Sequence, residues 1–199
     1  LNALSLYFLF GFGINCTTHD IRPEAKIQNI DYLIDQGKLL WDQRLDSLAL
    51  DKAESANTSP VVIADVWDNP GGGVPGDSTI LLREMLKRGI KDAALATICD
   101  PIAVRTCFSA GVGASFRLRF GAKLSEFAGE PLDADVIVRQ TMREAVQSFG
   151  QSVVPLGDAV WIEVGGIDVI LNSVRSQVFN PDAFSNFGID LKKKKIQFR

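Results

Sequence analysis

Histidine is almost missing from this sequence: its 199 residues contain one, His19. One imidazole excludes the common multi-histidine zinc sites within the chain and leaves only His19 for a Ser-His-Asp triad. No G-x-S-x-G segment is present either. Cysteine is scarce, with Cys16, Cys99 and Cys107 an odd number at no paired spacing. That pattern argues against a disulfide framework or a cysteine metal site and fits a reducing, cytoplasmic setting. Cys99 and Cys107 sit in apolar surroundings and read as core packing rather than as reactive thiols. An excess of charge is lacking as well: the net charge is −3 and the pI about 5.2. No sequence-wide field for polyanions follows, so nucleic acid is not an expected partner. The one basic block, Lys192 to Lys195, reads as a solvated tail, with a polyanion-binding tail as its alternative. Long apolar runs are absent too. Leu1 to Ile14 is too short to span a bilayer and has no basic start or small-residue cleavage site, so no membrane partner is expected.

What is present is an ordinary globular composition, 46% hydrophobic and 23% charged, in a chain long enough for one substantial core. Pro23 to Leu48 reads as an amphipathic helix, with Ile27, Ile30, Ile34, Trp41, Leu45 and Leu48 at helical spacing. Asp51 to Ser59 is polar and reads as a linker or loop. Pro60 to Val66 is a continuous apolar run suited to a strand covered on both faces. A helix is expected over Ser78 to Arg88, a second buried strand over Ala93 to Ile98, and a helix opened by Asp100-Pro101 and closed near Gly111. This βαβα order implies parallel strands with right-handed crossovers. Alternation then takes over, at Ala114 to Phe120, at Ala134 to Val138, and in two runs joined by Gly165-Gly166, which is a hairpin signal. A short helix is expected over Pro181 to Phe187, capped by Asn180. The fold class that follows is α/β, with a parallel βαβα front half and an antiparallel, hairpin-containing back half around one core. Residues 1–58 read as an apolar segment and helix belonging to a preceding domain, and residues 59–199 as the α/β domain. The chain opens on Leu rather than Met and is expected to be a piece of a longer protein.

The segment from Asp68 to Ser78 joins the first buried strand to a helix, and three features coincide in it. Gly71, Gly72, Gly73 and Gly76 allow positive φ and leave backbone N–H groups uncovered. The loop delivers the chain to a helix N-terminus, where an anion is favoured. Asp68, Asn69, Asp77 and Ser78 supply oxygens that either cap the loop or face a ligand. A plain tight turn with Asp77 or Ser78 as helix cap explains the same letters. So does G-x-G-x-x-G, as Gly71, Gly73 and Gly76 with Asp100 standing for the ribose-binding acid, although Gly76 falls before the helix rather than inside it. Asp65, Asp68, Asp77 and Asp100 could also converge at the strand ends as a carboxylate metal site.

The run Val61-Val-Ile-Ala-Asp-Val-Trp-Asp-Asn-Pro-Gly-Gly-Gly-Val-Pro-Gly-Asp-Ser-Thr79 closely resembles the C-terminal domain of the microcystinase C (MlrC-like) zinc metallopeptidases. The likeness continues through Leu82-Arg83, Asp100-Pro101, Ala110 to Gly113, Val164 to Ile167, Asn180 to Phe184 and Gly188 to Asp190. It implies hydrolysis of peptide bonds with one zinc ion, held by histidines and carboxylates of an N-terminal domain that this chain lacks. No catalytic residue or metal ligand carries over to the chain, and His19 matches none of the family's motifs. The C-terminus departs from the family's usual ending. What carries over is the loop, expected to bind a substrate carboxylate or other anion in company with the missing domain. A non-catalytic binding or scaffold domain and a dinucleotide oxidoreductase remain as alternatives, and an oligomer stays open.

Overall fold

The structure, a computed structural model, describes residues 6–8, 44–57, 59–65 and 68–198. Cys16, His19 and the expected helix from Pro23 as far as residue 43 lie outside them. The strands are β1 (Leu6–Phe8), β2 (Val61–Ala64), β3 (Ala93–Cys99), β4 (Ser115–Phe120), β5 (Leu132–Phe149), β6 (Ser152–Val164), β7 (Ile167–Asn172) and β8 (Ile196–Phe198). The helices are α1 (Arg44–Ser55), α2 (Ile80–Lys87), α3 (Pro101–Ala110) and α4 (Asp182–Ser185). One mixed sheet runs in the order β1-β2-β8-β3-β7-β6-β5-β4. The pairs from β1 through β7 are parallel, and those from β7 through β4 are antiparallel. The α/β class with a parallel front and an antiparallel back is the observed architecture.

Apolar periodicity decides which faces are covered. Leu50 and Ala53 of α1, Leu81, Leu82 and Met85 of α2, and Ala103, Val104 and Cys107 of α3 bury one face of the sheet together with Leu95, Val138, Ile162 and Val169. The opposite face is covered by Phe184, Phe187 and Ile189 around α4, packed on Ala94, Ala96, Leu156 and Ile170. Each fully buried Leu, Ile or Phe of these layers contributes about 1.5–3 kcal/mol relative to exposure. Asp100 Oδ1 accepts the Ala103 N–H at 3.0 Å with Pro101 in the first turn, so α3 begins where the Asp-Pro pair predicts. Gly165 and Gly166, both at positive φ, close the tight β6–β7 hairpin.

Three expectations need correction. Asp51 to Ser55 is helical rather than a linker. Arg88 Nη1 donates to Asp51 (2.6 Å) and Glu54 (3.0 Å), so the polar letters form the outer face of α1 while Leu50 and Ala53 are buried. The strand expected at Ala134 to Val138 is the start of an 18-residue strand. Register shifts after Val138 and around Met142 to Ala145 interrupt its alternation and hide its length from a period-2 search. The Lys192 to Lys195 block is not a free tail. It leads into β8, which lies between β2 and β3. Lys194 Nζ pairs with buried Asp168 at 2.6 Å, and the Lys195 backbone bridges the Val61 N–H and the Asp92 carbonyl.

Candidate functional site

The loop from Asp68 to Ser78 leaves the end of β2 and runs over the C-terminal ends of β3 and β7, where open α/β sheets bind ligands. The Cys99 N–H donates to the Gly76 carbonyl (2.8 Å), and the Asp100 N–H to the Asn172 carbonyl (2.9 Å), tying loop, β3 and β7 together. From the side, Arg175 Nη1 donates to the carbonyls of Pro70 (3.1 Å) and Val74 (2.8 Å).

Within the loop the predicted residues divide into two groups. Asn69, Gly71, Gly72 and Gly73 form a single tight turn. The Gly71 N–H donates to Asn69 Oδ1 (2.8 Å), the Gly72 N–H to the Asn69 carbonyl (2.8 Å) and the Gly73 N–H to the Pro70 carbonyl (3.0 Å). Gly73 needs its glycine, with φ +95°. At Gly76, φ is +73° and a Cβ would lie 2.5 Å from Pro70 Cγ. Asp68, Gly76 and Ser78 form the second group. The Gly76 N–H donates to Asp68 Oδ1 (3.0 Å) and the Ser78 N–H to Asp68 Oδ2. The expectation of uncovered amides is thereby corrected: the expected nest is satisfied from within, the N–H groups of Gly71 to Gly73 by Asn69 and Pro70 and those of Gly76 and Ser78 by the Asp68 carboxylate. Even the approach to α2 is engaged, since the Thr79 N–H donates to the Ala128 carbonyl (3.1 Å) and the Ile80 N–H to Ser78 Oγ (3.3 Å). Burial pushes the Asp68 carboxyl up to about 6, aided by the charges of Asp65 and Asp77 and opposed by the Ser78 and Gly76 amides.

Asp77 is neither a helix cap nor part of this pair. It is fully buried, and its Oδ2 accepts the N–H groups of Lys123 (2.7 Å) and Leu124 (2.9 Å). Asp100, beyond its capping role, accepts the Gly121 N–H (2.9 Å) and pairs with Lys123 Nζ (2.7 Å) through Oδ2. The four aspartates therefore do not meet as a metal site. Asp68, Asp77 and Asp100 each accept from separate backbone amides, Asp77 through Oδ2 alone with its buried Oδ1 unpartnered, and no group of three or more His, Cys, Asp or Glu suited to a metal exists among the described residues. Nor does the loop serve a dinucleotide. Gly76 precedes α2 rather than lying inside it, Asp100 is spent on α3 and Gly121, and β8 separates β2 from β3. Cys99 and Cys107 are free and buried, and burial pushes both thiols up to about 11, which suits packing rather than nucleophilic chemistry. The sequence reading missed Lys123 and Arg175, whose side chains reach the site from segments far along the chain with no local signature.

These features define a fold and a loop shared with known proteins. A model of the MlrC C-terminus matches residues 63–197, and the chain belongs to that family. It is 37% identical over 146 residues to Microcystinase C of Sphingomonas sp., an alignment covering 73% of this chain and 29% of that protein. It also matches a crystal structure from Mesorhizobium sp. BNC1, provisionally named a metallopeptidase, with a TM-score of 0.69 and 26% identity over 77% of this chain and 31% of the other. The chain thus spans under a third of the length of either relative.

Proposed function

We propose that this chain is the C-terminal domain of a zinc-dependent, cytoplasmic peptidase whose metal ligands reside in a preceding domain. The observation that carries the reading is the Asp68-pinned loop at the C-terminal ends of β2, β3 and β7, which lies within the stretch matched by the family model. The described residues themselves do not fit zinc, because no three of their His, Cys, Asp or Glu side chains converge and Asp68, Asp77 and Asp100 each turn to separate backbone amides, and no step of metal chemistry is assigned to them. What they supply is a rigid wall. Asp68 fixes both ends of the Gly76–Ser78 turn, Arg175 holds the Pro70 and Val74 carbonyls, and Asp100 with Lys123 locks the neighbouring segment. Flanking this wall, Ile102, Leu124 and Val174 leave 58%, 64% and 43% of their surfaces exposed, a setting suited to cover by another domain. Peptide would lie between the wall and the metal-bearing domain, confined by the shape of the wall rather than held by a free anion nest.

The test compares the 199-residue chain with a version preceded by the domain its relatives carry. Zinc content and hydrolysis of short linear peptides are measured on both. The chain alone should hold no stoichiometric zinc and cleave nothing, while the longer protein does both. Tight stoichiometric zinc in the short chain would overturn this division of labour.

A further inference from the structure

A groove of about 430 Å³ lies between α3 and the β5–β6 arm, and none of the loop residues from Asp68 to Ser78 lines it; it is within the size range of small-molecule sites. One wall is the helix, which presents Val104, Arg105 and Phe108. The other is the β5–β6 arm, which presents Arg143 and Asp158. The arm is shaped for this. The register shift between Met142 and Ala145 places Glu144 at φ +48°, and the Glu144 N–H donates to Asp158 Oδ1 (3.1 Å). Asp158 Oδ2 in turn accepts from Arg143 Nη1 (2.8 Å), and the Arg143 guanidinium carbon sits 4.8 Å above the centre of the Phe108 ring. Arg143 is thus held by an ion pair and an aromatic face while its side chain stays 74% exposed. Arg105, one helical turn before Phe108, has no side-chain partner among the described residues. Two guanidiniums against one carboxylate leave the groove one positive charge beside the half-buried Phe108 ring, its one sizeable apolar surface.

We propose that this groove binds a monocarboxylate carried on an apolar body, such as the C-terminal end of a short peptide. The carboxylate accepts from Arg105 and the open edge of Arg143, a geometry guanidinium forks favour, and the apolar body lies against Phe108. Asp158 in the wall disfavours a dianion. The inference does not depend on the peptidase reading, since it concerns binding by this chain alone.

The test titrates the 199-residue chain, by calorimetry and by amide chemical shifts, with N-acetyl-phenylalanine, its amide, and inorganic phosphate. The acid should bind saturably with shifts confined to α3 and the β5–β6 arm, and the amide about tenfold more weakly or not at all. Arg105→Glu, an exposed and unpaired position whose fold is checked by thermal melting, should weaken the acid at least tenfold. Acid and amide binding alike, an unchanged affinity in Arg105→Glu, or no saturation by the acid would each overturn the proposal. So would phosphate binding at least as tightly as the acid, which would mark simple anion collection.

Discussion

The two halves of the sheet are held by different kinds of polar contact. In the antiparallel half, ion pairs stand on the surface between neighbouring strands: Arg139 with Glu163 at 2.6 Å, Arg119 with Asp133 at 2.6 Å. From the parallel half, buried carboxylates reach segments distant in sequence, including the stretch just after β4: Asp100 to Gly121 and Lys123, Asp77 to Lys123 and Leu124, Asp168 to Lys194. Hairpin strands are already aligned by their turns, so their ion pairs add little. Parallel strands arrive by crossovers, and their ends need stitching by groups that cannot be left unpaired once water is excluded.

Substitutions sharpen that contrast. The largest effect is expected for Asp100→Ala, which uncaps α3, orphans the Gly121 N–H and leaves the Lys123 ammonium with the Arg119 carbonyl (3.2 Å) but no carboxylate. It should cost about 3–5 kcal/mol by urea unfolding. A cost under about 1 kcal/mol would break the distinction between the halves. Gly121→Ala should follow at about 2–3 kcal/mol. Its φ is +68°, and the added Cβ would lie 2.5 Å from Thr79 Cγ2 and 3.0 Å from the Asp77 carbonyl. Lys194→Ala strips the cation from Asp168, which is 5% exposed and also accepts the Trp161 indole N–H at 2.9 Å. About 2 kcal/mol and faster exchange of the Val61 amide, which donates to the Lys195 carbonyl, are expected. Arg139→Gln on the antiparallel surface should change stability by under about 1 kcal/mol.

Acidity tests the loop separately. A carboxyl whose folded pKa is raised is stabilised by protonation. Asp68, at about 6 against an ordinary 3.8, therefore opposes folding above pH 6 and adds stability as pH falls from 6 toward 4. The slope is at most about 1.4 kcal/mol per pH unit for one proton. Asp68→Asn should flatten that segment of the stability profile, and carbon-detected NMR of the wild-type carboxyl should titrate near 6. A midpoint near 4 would show that the loop amides outweigh burial.

How much of this was legible in the letters varies by element. The Asp100-Pro101 start of α3 and the Gly165-Gly166 turn were readable because cap and turn chemistry act within a few residues. Helix α2 was readable from Leu81, Leu82 and Met85. Asp51 to Ser55 was misread because the partner that makes a polar run worth folding, Arg88, lies more than thirty residues away. The long arm of β5 was hidden by its own bulges. At the loop, the glycines announced the tight turns, but the expected uncovered amides are not there: Asn69, Pro70 and Asp68 of the same segment take them, and which of a loop's own oxygens turn inward is settled only by packing.

The sequence by itself determined the local grammar: two buried parallel strands, caps, hairpin turns and a glycine-rich junction with family-specific spacing, all set by short-range sterics and hydrophobic period. Only the tertiary structure decided that β8 enters the sheet between β2 and β3, that Asp77 and Asp100 face Lys123, and that the nest is satisfied from within. Those outcomes depend on which distant groups lose water together, and desolvation is a property of the packed chain rather than of any stretch of letters.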